Sequence, residues 1–324
     1  MDRDWQNISR NDAWVWKPFA WEWWICIQLV LAIVGLLGNL LVMLVIFWPG
    51  RRRCATDTLI GALAVADFLT SIFIIPHPIV DMYPDTNAAR FYCKIVHTST
   101  LMWISICASI FTLTTISVEK LIAVRYPVWF QRLSTPKRAT IAIVCIWIVA
   151  FGINTRSLYA RYVSNGKCLS SKHSVALFIG VALFLVEYVL PVSVTVIAHV
   201  WTICVLRRRR VTALRKAQSL VLQMLLIVVI TFIICWTPDQ FGFLVFNLGI
   251  VPATYLFSPL YRCFVILAFA NSCVNPFIYA ARIPKFRKAL KDMFMRKSGN
   301  RGIHSLSAGE GEGAYGNVVS SAQS

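Results

Sequence analysis

Long apolar runs limit what this chain can fold into more than any other feature. From Ile95 to Val118 there is no Asp, Glu, Lys or Arg, and stretches of the same kind recur along the chain. Composition agrees: 58% of residues are hydrophobic and 14% charged, against about 25% charged in a soluble domain. One water-facing core cannot absorb that excess, so the expected solvent is lipid. A bilayer core of about 30 Å takes roughly 20 apolar residues per helix, and in lipid the backbone must satisfy its own hydrogen bonds. The expected spans are therefore helices: Trp24 to Trp48, Thr58 to Val80, Cys93 to Val124, Ala139 to Ser157, Ser174 to Leu206, Ser219 to Leu248 and Ser258 to Ala281. The third is long enough that it must tilt or protrude.

Basic residues sort by side. The loops after spans one, three and five hold Arg51–Arg53, then Arg125, Arg132, Lys137 and Arg138, then Arg207–Arg210, Arg215 and Lys216, and the segment after span seven adds more. Lys and Arg favour the cytoplasmic side, so the N-terminus is expected outside and the C-terminus inside, in the plasma membrane. The net charge of +18 lies between the apolar runs and forms no single soluble face, which disfavours nucleic acid as a partner. No cleavable signal peptide is read in the first twenty residues, so span one is expected to act as its own insertion signal. Asn7-Ile8-Ser9 is a glycosylation sequon on the expected outer segment. Trp14, Trp16, Trp21, Trp23 and Trp24 suit a membrane–water belt better than a ligand site.

Ten cysteines divide by position. Cys26, Cys107, Cys145, Cys204, Cys235, Cys263 and Cys273 fall in or near spans and read as small buried hydrophobes. Cys54 lies on the cytoplasmic side, where disulfides rarely persist. Cys93 and Cys168 lie outside and are the expected disulfide pair. No spacing matches a zinc site.

An ionisable residue inside a span is a functional hypothesis by default. Asp67 is mid-span, Glu187 falls in span five and Asp239 in span six. Around Asp67 the other spans offer Asn39, Ser109, Asn271, Ser272 and Asn275, a set of neutral oxygens that with a carboxylate suits sodium. Glu187 and Asp239 can equally be ligand contacts or carboxylates satisfied by their neighbours.

Span seven ends in Asn275-Pro276-Phe277-Ile278-Tyr279, which resembles the Asn-Pro-x-x-Tyr motif of rhodopsin-like (class A) G-protein-coupled receptors. Gly38-Asn39, Leu63-Ala64-Val65-Ala66-Asp67, Trp147, Pro191 and Cys235-Trp236-Thr237-Pro238 fall on the matching spans in order. The resemblance covers residues of about 24 to 297 and implies an all-α membrane protein, a seven-transmembrane helix bundle with a short amphipathic eighth helix. The expected organisation is an extracellular segment 1–23, the bundle 24–281, an amphipathic membrane-surface helix 282–297 and a disordered cytoplasmic tail 298–324. Phe286, Leu290 and Phe294 follow helical spacing, with Lys and Arg opposite.

Glu119-Lys120-Leu121 stands where the family usually has Asp-Arg-Tyr. There the acid restrains the Arg at rest, and the Arg turns to the G protein on activation. Lys keeps the charge but lacks the planar five-donor fork. Neighbours on a helix do not face each other, so Glu119 and Lys120 are not expected to need one another. The family's acid at the base of span six falls near Gln218, with no acid close by, and His199 replaces a frequent Tyr. The resemblance makes Glu119, Lys120, Trp236, Pro238, Asn275, Pro276 and Tyr279 the activation switches. The stretch from Cys93 to Lys120 is longer than the family's, which implies extra backbone at the start of span three or a bulge within it.

The family's ligand pocket opens outward between spans three, five, six and seven. Trp236, Asp239, Gln240 and Phe243 follow i, i+3, i+4, i+7 and share one face. Glu187 is expected on the same cavity, with Met102 or Thr100 at the span-three position where amine receptors carry Asp. Neither is acidic, which disfavours a monoamine, and two nearby acids favour a basic group. The expected ligand is a peptide with a basic residue, as in neuropeptide receptors; a small molecule or lipid is the alternative. Implied partners are heterotrimeric G protein, arrestin, receptor kinases and membrane lipids, with no cofactor beyond an allosteric sodium ion. Serines from Ser305 to Ser324 are candidate phosphorylation sites. A transporter would show internal repeats and an enzyme a nucleophile–base or metal motif, and neither pattern is found.

Overall fold

The computed structural model of the chain describes residues 13–48, 54–170, 176–208, 212–282, 286–288, 290 and 291. Residues 1–283 form one compact unit and 284–324 a second. Of the second, residues 286–288, 290 and 291 are helical. The rest of the expected eighth helix, the tail, Asn7 and Arg51–Arg53 lie outside the described residues.

Seven helical segments among the described residues are long and apolar enough to cross a membrane. In chain order the elements are β1 (Val15–Trp16), α1 (Trp23–Ile46), α2 (Ala55–Phe73), β2 (Val80–Met82), α3 (Asn87–Ile95), α4 (Thr100–Arg125), α5 (Pro127–Leu133) and α6 (Pro136–Asn154). There follow α7 (Arg156–Ala160), β3 (Arg161–Ser164), β4 (Lys167–Ser170), α8 (Ala176–Phe184), a π-turn (Leu185–Val189), α9 (Leu190–Arg208), α10 (Thr212–Asn247), a 3-10 turn (Ala253–Phe257) and α11 (Pro259–Arg282). α4 packs against α2, α6 and α9, while α1 joins α2 to α11 and α11 packs on α10. α6 contacts only α2 and α4 closely and leaves most of its surface outward.

Polarity is arranged inside out. Leu37 and Ile148 are each 65% exposed, whereas Asn39 and Asp67 are fully buried. A lipid solvent rewards apolar groups outside and leaves polar side chains to find each other inside. Cys26, Cys145, Cys204 and Cys263 follow the same rule and face outward; of the seven span cysteines only Cys107, Cys235 and Cys273 are buried.

Two spans differ from their sequence boundaries for identifiable reasons. Span two does not reach Val80: α2 stops at Phe73, and Val80 lies in β2. Pro76 and Pro78 restrict the residues before them and donate no N–H, so the helix cannot pass. α2 begins earlier than expected, at Ala55, because Cys54 and Asp57 cap it reciprocally. Span three is not one helix. α3 ends at Ile95, a turn follows, and Ser99 adopts a left-handed conformation (φ 51°) before α4 restarts. The extra residues noted between Cys93 and Lys120 are therefore absorbed as backbone at the start of the span. α10 begins at Thr212, several residues ahead of Ser219, which leaves little chain between spans five and six.

The outer face carries two small antiparallel ribbons, β1–β2 and β3–β4. Trp14 stacks on Trp16 at 5.5 Å and meets Tyr92 edge-on at 5.5 Å. These two tryptophans pack on each other and on Tyr92, and Trp16 stays exposed. Trp24 lies under the Arg262 guanidinium at 3.8 Å.

Candidate functional site

Three polar centres lie along the bundle. At the outer end, the Cys93–Cys168 disulfide (Cα–Cα 5.7 Å) ties α3 to β4. Beside it Tyr83 is bonded to His97 Nδ1 at 3.0 Å. Burial pushes the Tyr83 hydroxyl up to about 12, so it keeps its proton at that contact.

Below this cap is a small cavity lined by Trp103, Ile106, Cys107, Ile110, Glu187, Trp236 and Gln240. The four α4 residues are spaced i, i+3, i+4, i+7 and form one stripe. Glu187 enters from the π-turn, a distortion that re-aims side chains in an otherwise regular helix. The following residue, Tyr188, bonds through its hydroxyl to Thr237 at 2.5 Å, next to the Pro238 kink of α10. The buried Trp236 Nε1–H has no partner among the described residues, and Gln240 is 7% exposed. The cavity can thus offer a carboxylate, an amide and a free indole donor within an apolar shell.

Of the six expected pocket residues, three line this cavity: Glu187, Trp236 and Gln240. Asp239 instead accepts the Tyr261 hydroxyl of α11. Phe243 packs near Phe246 at 6.3 Å, and Met102 is buried elsewhere on α4. The α4 stripe was missed, although its spacing is the one used to group the α10 residues.

The second centre is at mid-membrane. Asp67 Oδ1 accepts Ser109 Oγ–H at 2.7 Å and Oδ2 accepts Asn275 Nδ2–H at 2.8 Å. Ser272 adds a third side-chain hydrogen bond. α2, α4 and α11 therefore converge on one carboxylate. Asn39 does not join them: its Nδ2–H groups go to Gly35 O (3.0 Å) and Ser272 O (2.9 Å), and its Oδ1 has no partner among the described residues. Asn271 is buried in the same stretch of α11, as are Pro276 and Tyr279.

The third centre is the inner end of α4. Lys120 Nζ lies 3.4 Å from Glu119 Oε2. Adjacent positions on a helix need not pair; here Thr56 brings these two together. Its hydroxyl donates to the Glu119 carboxylate (2.9 Å) and accepts from Lys120 Nζ (2.5 Å), which draws both side chains to the start of α2. Ser134, just past α5, donates to Glu119 Oε1 at 3.0 Å. The side chain of Gln218 is outside the described residues. His199 bonds Thr195 O at 2.9 Å through Nδ1, and its Nε2 is buried without a partner among the described residues.

The family described as "7 transmembrane receptor (rhodopsin family)" matches residues 38–279. The chain is 32% identical over 280 residues to an allatostatin-A receptor of Bombyx mori, covering 81% of this chain and 76% of that protein. It is 31% identical over 291 residues to galanin receptor 2b of Danio rerio, covering 84% and 75%. This chain belongs to the rhodopsin family of seven-transmembrane receptors and resembles neuropeptide receptors. It is a multi-pass membrane protein of a signalling family, not an enzyme family.

Proposed function

We propose that this chain is a plasma-membrane receptor, N-terminus outside, that binds an extracellular peptide bearing a basic group and signals to heterotrimeric G proteins. One observation carries the ligand chemistry: Glu187 borders an apolar cavity together with Gln240 and the unpartnered Trp236 N–H. The relatives' names, allatostatin-A and galanin receptors, support a peptide over a small molecule or lipid. G-protein dissociation in cells expressing the chain, with a panel of neuropeptides, tests the reading. Glu187→Gln is expected to weaken a basic peptide by about 2–5 kcal/mol; affinity equal to the parent would sink the basic-group reading. An epitope on each terminus, stained in intact and permeabilised cells, tests the orientation independently.

The Asp67 centre fits a sodium ion. A buried carboxylate on α2 with neutral donors from α4 and α11 has no compensating charge among the described residues that bond it. Asp67, Ser109, Asn271, Ser272 and Asn275 would supply hard oxygen ligands. Bound there, the ion would hold α2, α4 and α11 together. Asp67→Asn is then expected to remove sodium dependence of agonist affinity, and unchanged dependence refutes the site.

Glu119, Lys120, Trp236, Pro238, Asn275, Pro276 and Tyr279 are the proposed switches. A Lys120→Arg chain compared with the parent in the same G-protein assay reads how far the lost guanidinium fork limits coupling. An amphipathic helix over 282–297, a cytoplasmic tail that recruits arrestin through phosphoserines, and a glycan on Asn7 complete the proposed organisation.

A further inference from the structure

No acid on the inner half of α10 can hold that helix at rest. From Tyr188 to Pro238 the chain has no Asp or Glu, and Lys120 turns to Thr56 and Glu119 instead. Packing adds little on one side: α9 lies closely along α4 but meets α10 only sparsely. A hydrogen bond bridges this thin seam at mid-helix, between the Tyr188 hydroxyl and Thr237 Oγ1 at 2.5 Å. Thr237 has one hydroxyl hydrogen, and it goes to Ile233 O at 2.5 Å. Tyr188 is therefore the donor, and the bond has a fixed direction.

Thr237 sits where α10 bends most easily. Pro238 offers no N–H to the carbonyl of Ile234, and a Thr hydroxyl on the i−4 carbonyl loosens the same turn. Tyr188 is held firmly on its own side: it is 7% exposed, with Phe184 at 5.7 Å and Phe241 edge-on at 6.2 Å. It belongs to the π-turn, in which Leu190 N–H reaches back to Leu185 O. The same turn carries Glu187 to the cavity. Neighbours thus divide their work on both sides of the seam. Glu187 and Trp236 line the cavity, while Tyr188 and Thr237 bond to each other.

We propose that Tyr188 restrains α10 in the unliganded receptor, its hydrogen bond to Thr237 holding the Pro238 kink closed beside the ligand cavity. The restraint is then at mid-membrane and not at the cytoplasmic end of α10. Because Glu187 and Tyr188 share one turn, a pull on the first reaches the second. The proposal rests on the receptor reading given above, and its hydrogen-exchange test needs neither a ligand nor a G protein.

The experiment uses the full chain in nanodiscs without ligand, as parent, Tyr188→Phe, Thr237→Val and the double variant. Amide hydrogen exchange follows the peptide of residues 229–242, and basal nucleotide exchange on purified G protein reads signalling. Each single variant is expected to speed both by about fivefold. The double variant should add nothing further, and Thr237→Ser, which keeps the hydroxyl, should match the parent. Plain loss of stability lowers basal signalling with the folded fraction, so a rise marks a lost restraint. Unchanged hydrogen exchange over 229–242 in either single variant overturns the proposal. Additive effects in the double variant overturn it too, as does faster hydrogen exchange with unchanged basal signalling where the parent couples. If no chain, parent included, acts on a G protein, the receptor reading fails and hydrogen exchange alone decides for or against the bond's role. Should one single variant not fold, the other carries the test.

Discussion

Asp67 and Glu119 are both acids in a membrane protein, and they are stabilised in opposite ways. Asp67 is fully buried and takes neutral donors from α4 and α11. Glu119 keeps 11% side-chain exposure and takes its own neighbour, Lys120, with Thr56 between them. The first is held by tertiary structure alone; move one helix and a carboxylate loses a bond it cannot replace with water. The second carries its counter-charge on the same helix, so motion of α2 costs it only Thr56. The contrast separates a centre that senses helix packing from one that tolerates its change.

Mutations rank accordingly. Asn275→Ala should lower stability most, by about 2–3 kcal/mol, because it strips a charge-assisted bond from a buried carboxylate; the thermal unfolding midpoint of detergent-purified receptor reads it. Ser109→Ala should follow at roughly 1–3 kcal/mol by the same measurement, since the small side chain leaves the other donors in place. Thr56→Val should cost only about 1 kcal/mol, the Glu119–Lys120 pair surviving in partly solvated surroundings. A Thr56→Val cost equal to that of Asn275→Ala would break the comparison. Ser134→Ala should be smallest, under about 1 kcal/mol, and a larger loss would make Glu119 as dependent on its neighbours as Asp67 is.

Much of this was legible in the sequence because lipid writes long, simple signals. Seven apolar runs located the helices, the motifs around Pro238 and Pro276 carried the family resemblance, and mid-span Asp67 announced its own need for partners. What escaped depended on short-range geometry. Nothing in Val96–Ser99 is a Gly or Pro, so the left-handed Ser99 that splits span three has no compositional mark. Thr56 reads as an ordinary helix residue; only folding brings it over Glu119 and Lys120. Glu187 was expected on the cavity, but the π-turn that aims it is invisible to a regular helical count. Asp239 followed the expected stripe and was diverted by Tyr261, a partner that only the packing of α11 on α10 supplies.

The break before α4 has a consequence for how this lineage could change. Each residue added inside a continuous helix turns everything beyond it by about 100° and pushes it about 1.5 Å along the axis. Extra residues placed within α4 would have swung Trp103, Cys107 and Ser109 away from the cavity and from Asp67. Placed ahead of Ser99, they are taken up by a turn, and the phase of α4 is untouched. The disulfide at Cys93 fixes the other side of that turn. The outer cap can therefore gain or lose length, and with it the shape it offers to a ligand, while the signalling face of α4 keeps its register.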